Sequence, residues 1–135
     1  MPSFRGHSLP AIALLAVLLL AYVCLEPGLT GGFLFDDAPN LQDLSAYGGV
    51  TNWETFRAFV FGGWSGPSGR PIALASFLLN DNAWPSDPGS FKYTNLMLHL
   101  LAGVLLTWAA LQLCRCYGLD EHRAQWSALF GSTAW

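Results

Sequence analysis

The chain has 135 residues, of which 53% are apolar and only 11% charged, against roughly 25% charged in an ordinary soluble domain. Six Lys and Arg against nine Asp and Glu leave a formal charge of −3, which excludes the basic stripe that a nucleic-acid backbone requires. So large an apolar fraction excludes a disordered chain, and an odd count of three cysteines excludes a dense disulfide framework.

Residues 1–8 form a short tail carrying Arg5. Residues 9–25 hold no charge and are apolar at nearly every position. As a helix this run is about 26 Å long, close to the thickness of the hydrocarbon layer, and it is predicted as the first transmembrane helix. A secretory signal is the alternative, since Arg5 precedes the run. Against it, the run is long for a signal, and Tyr22, Val23, Leu25 and Glu26 put bulky residues where a peptidase needs small ones. An uncleaved anchor is expected.

Residues 26–91 form a connection of more than sixty residues, too long to lack elements of its own. A helix is predicted over residues 38–47, with Pro39 in its first turn and Gly48 and Gly49 as its stop. Thr51 and Glu54 have capping-box spacing and open a second helix with Trp53, Phe56, Phe59 and Val60 on one face. That face suits either the lipid headgroup boundary or the chain's own membrane helices. A turn-rich stretch from Gly62 to Arg70 leads to a third helix that starts at Pro71 and runs to about Leu79. The segment around Asn80, Asp81, Pro85 and Gly89 returns the chain to the membrane.

Residues 92–114 are predicted as the second transmembrane helix, 115–123 as a short connection, and 124–135 as the start of a third membrane helix, too short at twelve residues to cross. The expected fold class is an all-α membrane protein: two transmembrane helices plus a truncated third, with short amphipathic helices in a long outer loop. Arg5 before the first helix and Arg115 and Arg123 after the second favour a cytoplasmic amino terminus and an outer, periplasmic or lumenal loop. That loop concentrates acid, with seven of the nine acids between Glu26 and Asp87 and only Arg57 and Arg70 as bases.

Asp36 and Asp37 are the candidate catalytic residues. Adjacent carboxylates repel, and an apolar stretch beside them raises the pKa of at least one, so the pair can supply a general base for a hydroxyl acceptor or help hold a divalent cation. Equally, Asp37 can cap a helix starting at Ala38 while Asp36 is solvated. Arg70, directly before a helix start, is the candidate for binding a donor phosphate; a solvated or salt-bridged surface role is its alternative. Asn95 and His99, four apart, share a face of the second membrane helix and are expected to pack against a neighbouring helix. The spacing of Cys114 and Cys116 fits no metal or redox motif, and Cys24 is expected on the other side of the membrane from them.

Taken in order, Phe33-Leu-Phe-Asp36-Asp37, Asn52-Trp-Glu-Thr-Phe56, Gly69-Arg70-Pro71 through Asn80, and Phe91-Lys-Tyr-Thr-Asn95 through His99 resemble the amino-terminal part of multi-pass GT-C glycosyltransferases. The similarity is greatest to the membrane proteins that carry tetratricopeptide repeats after the membrane domain, O-mannosyltransferases among them. The resemblance covers about residues 10–135. It implies transfer of a sugar from a polyprenyl-phosphate donor to a protein or glycan acceptor on the outer or lumenal side. The acid pair matches the family's catalytic signature and Arg70 its Arg-Pro position. Family members have many more membrane helices, so this stretch alone is expected to be inactive, and a cofactor is left open. The rival expectation is a non-catalytic membrane anchor or assembly subunit whose aromatic outer loop binds a protein partner. Further hydrophobic helices encoded beyond Trp135 favour the transferase, and a stop there favours the rival. A third possibility, a secreted domain behind a cleaved signal, requires residues 93–114 to be a buried helix.

Overall fold

A computed structural model describes residues 8–35, 37–63 and 69–133. The described residues contain helices and turns and no strand. The chain divides into two compact units, one formed by Met1–Pro27 with Asn95–Trp135 and the other by Gly28–Thr94.

The first unit contains α1 (Ser8–Leu25), most of α5 (Pro88–Cys116) and α6 (Glu121–Ser132). A 3₁₀ turn over Glu26–Thr30 extends α1. Both α1 and α5 are long and apolar enough to cross a bilayer. Their apolar side chains are uncovered by protein: only 6% and 11% of the two most hydrophobic windows are buried, and Leu15, Leu19, Leu101, Leu105 and Trp108 are exposed. A soluble core helix would hide these side chains, so the pair points to a membrane protein. The secreted-domain alternative, which needs residues 93–114 buried, loses its main requirement.

α6 buries Ala124, Ala128, Leu129 and Ser132, and the small side chains at 124, 128 and 132, four apart, permit close helix approach. It touches α1, and its Ser132 hydroxyl lies 2.7 Å from that of Thr107 on α5. The helix begins at Glu121, three residues before the expected start at Ala124, because Asp120 caps it by accepting the Arg123 N–H at 3.1 Å. Gly118, at φ +79°, turns the chain between α5 and α6. The guanidinium of Arg115 donates to both carboxylate oxygens of Glu121, at 2.6 and 3.1 Å, tying the two helix ends together.

Among the described residues the second unit contains three short α-helices, a 3₁₀ helix and the first turns of α5. α2 (Asp37–Leu41) passes into a 3₁₀ helix (Gln42–Gly48), where a single helix over residues 38–47 was expected. The tighter winding has a packing reason: 3₁₀ geometry stacks side chains three apart, and Leu44 in this segment and Leu41 at its start, three apart, are both buried. Gly48 and Gly49 end the segment with positive φ, as the sequence predicts.

α3 (Trp53–Phe61) is capped one residue later than expected. Asn52 Oδ1 accepts the Thr55 N–H at 2.9 Å and Thr55 Oγ1 accepts the Asn52 N–H at 3.1 Å, so the reciprocal box is Asn52 with Thr55 and not Thr51 with Glu54. Asn52 is extended (φ −144°, ψ 176°), which an N-cap requires. Phe59 and Val60 are buried in one cluster with Leu41, Leu44, Leu74 and Phe91, and Phe56 packs against its edge. Phe56, Phe59 and Val60 of that face therefore meet the loop's own core, to which α5 (Pro88–Cys116) contributes Phe91, while Trp53 stays exposed.

α4 (Pro71–Phe77) ends two residues short of the expected Leu79, and residues 78–80 form a turn. Phe33, Phe77, Trp84 and Phe91 form a chain of ring contacts, with Phe33 4.9 Å from Trp84 and 5.8 Å from Phe91, and Phe77 5.9 Å from Phe91. α5 starts at Pro88, four residues before the predicted span. Thr94 donates its hydroxyl to Asn80 Oδ1 at 2.5 Å, and the Val50 N–H donates to the Asn82 carbonyl at 2.8 Å, which pins the returning segment to the unit.

Candidate functional site

Asp36 lies outside the described residues. Asp37 is the first residue of α2, half-buried, and its Oδ2 accepts the Leu34 N–H at 2.8 Å while its own N–H donates to the Leu34 carbonyl at 2.9 Å. The turn thus closed holds Phe35 at φ +44° with its ring 95% exposed. The expectation that Asp37 precedes the helix as a cap on Ala38 shifts by one residue: the carboxylate belongs to the helix's first turn and reaches back to the chain entering it.

Arg70 is the residue before α4 and adopts a left-handed conformation (φ +52°, ψ +51°) with no side-chain capping bond. It is exposed. Gly69 ahead of it has φ +66°, and the Gly63 and Gly69 backbones approach so closely that a Cβ on either would collide with the other's carbonyl oxygen. Residues 63 and 69 therefore form a tight neck that delivers Arg70 to the helix start. The helix end contributes little to anion binding, because α4 has only seven residues and Pro71 lacks an N–H. Any phosphate there is held by the guanidinium itself, in charge-assisted hydrogen bonds.

Phe35 and Arg70 are the two non-glycine residues with positive φ among those described. Such a conformation costs about 1–2 kcal/mol for an L-residue and persists only where the surroundings over-determine it. One immediately precedes the acid pair and the other is the candidate arginine. Each site is anchored in the same way: Asp37 stands one helical turn before Leu41, and Arg70 one turn before Leu74, and both leucines belong to one buried cluster.

Lys92 is a further cation of this unit. It is half-buried, its Nζ donates to the Gly28 carbonyl at 3.1 Å, and a Cβ on Gly31 would meet it at 2.7 Å. No local pattern announces a contact between positions 64 apart in sequence. Asn95 is exposed and His99 half-buried on α5. Cys24 and Cys116 are exposed and Cys114 half-buried, all three as free thiols. Among the described residues no three His, Cys, Asp or Glu side chains gather as a metal site would need. Asp81 has its carboxyl held below the usual carboxylate range, first by a hydrogen bond from the Ser86 side chain and further by the Ala83 and Asn82 amides; it organises a turn and faces no candidate group.

No known protein family, curated protein or solved structure matches the chain.

Proposed function

We propose that the chain forms the first part of a multi-pass membrane glycosyltransferase that moves a sugar from a polyprenyl-phosphate donor to a protein or glycan acceptor on the outer or lumenal face. An acid of the Asp36 and Asp37 pair removes the acceptor's hydroxyl proton, and the Arg70 guanidinium balances the charge on the departing lipid phosphate. The amino terminus is cytoplasmic, and the membrane is the cytoplasmic membrane in a bacterium or the endoplasmic reticulum in a eukaryote. The observation that carries this reading is the pairing of left-handed Phe35 and Arg70 at the two candidate sites, since strained backbone concentrates where a side chain must be presented. The order of the four sequence motifs adds support. The test is transfer of labelled sugar from a polyprenyl phosphate by membranes carrying the gene's whole product.

One observation favours the non-catalytic alternative, a membrane anchor whose aromatic loop binds a protein partner. Asp37 Oδ2 is occupied by the Leu34 amide, which gives that acid a structural task. Under the transferase reading, Oδ1 of Asp37 or the carboxylate of Asp36 does the chemistry.

A further inference from the structure

The outer face of α3 carries Trp53, Arg57 and Phe61, four residues apart and so in one row along the helix. Trp53 is 67% and Phe61 68% exposed, Arg57 is exposed, and among the described residues no carboxylate pairs with Arg57. The row lies beside the face that buries Phe59 and Val60, and the Trp53 ring stacks at 5.3 Å on Phe56, which fixes its orientation.

We propose that this row rests on the phospholipid headgroup layer, with the Trp53 and Phe61 rings at the edge of the hydrocarbon and the Arg57 guanidinium on lipid phosphate. The unit Gly28–Thr94 is joined at both ends to helices long enough to cross a bilayer, so its surfaces stay within a short tether of lipid. Trp and Arg are the side chains that prefer that boundary, an apolar body on one side and a polar group on the other. Charge fits as well: in a loop of seven acids and two arginines, one arginine is set between the two exposed rings, where a phosphate would lie. Glu54 lines a shallow surface groove with Trp53, Arg57 and Phe61, within reach of the amine of a zwitterionic headgroup. The face shares only Trp53 with the one the sequence pattern selects, because Phe56, Phe59 and Val60 are used by the loop's core. The inference rests on the two spanning helices and not on sugar transfer.

The test uses the full chain with Cys24, Cys114 and Cys116 replaced by Ser, reconstituted in vesicles of phosphatidylcholine and phosphatidylglycerol and nitroxide-labelled at one new cysteine at a time. Labels at Trp53→Cys and Phe61→Cys are compared with one at Asp43→Cys, exposed on the 3₁₀ helix, and one at Leu15→Cys in α1. Collision with lipid-soluble oxygen, relative to a water-soluble nickel chelate, is expected to be severalfold higher at 53 and 61 than at 43. Arg57→Glu should lower the ratio at 61. Equal ratios at 43, 53 and 61, with position 15 in lipid, overturn the headgroup contact, as they would if the row served a protein partner. An aqueous reading at 15 overturns the spanning helices and this inference together.

Discussion

Leu34 and Asp37 exchange two hydrogen bonds, the Leu34 N–H donating to Asp37 Oδ2 at 2.8 Å and the Asp37 N–H to the Leu34 carbonyl at 2.9 Å. The carboxylate therefore has one oxygen committed to the turn that presents Phe35. Asp37→Ala should cost about 1 kcal/mol of local stability, the usual scale for a lost side-chain bond at a helix start. Asp37→Asn keeps a carbonyl acceptor and should cost less. Amide exchange at Leu34, followed by mass spectrometry, reads both: faster exchange in the alanine variant, little change in the asparagine variant.

Arg70→Gly separates strain from chemistry. Glycine accepts φ +52° without penalty, which recovers about 1–2 kcal/mol, and the larger entropy of the unfolded chain takes back about 0.5–1 kcal/mol. The variant should be as stable as the wild type or slightly more so in thermal unfolding. If Arg70 carries the donor phosphate, transfer is lost in that well-folded protein; retained transfer would assign Arg70 a purely structural place.

The loop's core depends on few side chains, and Leu44 is the largest that is completely buried. Leu44→Ala should destabilise the Gly28–Thr94 unit by roughly 2–5 kcal/mol, the range for emptying a leucine site. Limited proteolysis of the protein in membranes should then cut within that unit much faster than in the wild type. Asn52→Ala, which removes only the α3 cap, should cost about 1 kcal/mol and give a smaller acceleration.

The lowered pKa of Asp81 fixes the sign of one pH effect. Because the folded turn prefers the carboxylate, its contribution is fully present above the ordinary value of 3.8 and is lost as pH falls through the lower folded value. At neutral pH the turn is unaffected. Exchange at the Val50 amide, bonded to the Asn82 carbonyl, should quicken beyond the intrinsic pH dependence only below that range. Ser86→Ala, which removes the main stabilising bond, should move the onset upward.

The two long apolar runs were legible because length and absence of charge suffice to define a candidate span. The short helices were legible from Pro39, Pro71 and the paired glycines at 48 and 49. Which face of α3 turns inward was not, since Trp53, Phe56, Phe59, Val60 and Phe61 leave apolar side chains on both sides. The choice is made by Leu41, Leu44 and Leu74 from other elements. The capping box slipped by a residue because Thr51 and Asn52 both offer an oxygen and only the extended backbone of Asn52 decides between them. The left-handed turn at Phe35 had no sequence signal, as glycine or asparagine would ordinarily mark it. The neck at Gly63 and Gly69 was visible as composition, but its delivery of Arg70 required the backbone.

The central claim is most directly tested by sugar transfer from polyprenyl-phosphate donors in membranes containing the gene's whole product, comparing the wild type with Asp36→Asn and Asp37→Asn at equal protein level. Transfer in the wild type and a fall of about 10²-fold or more in at least one variant, the scale of a lost general base, is the predicted result. Wild-type rates in both variants, or no transfer from any such donor, would contradict it.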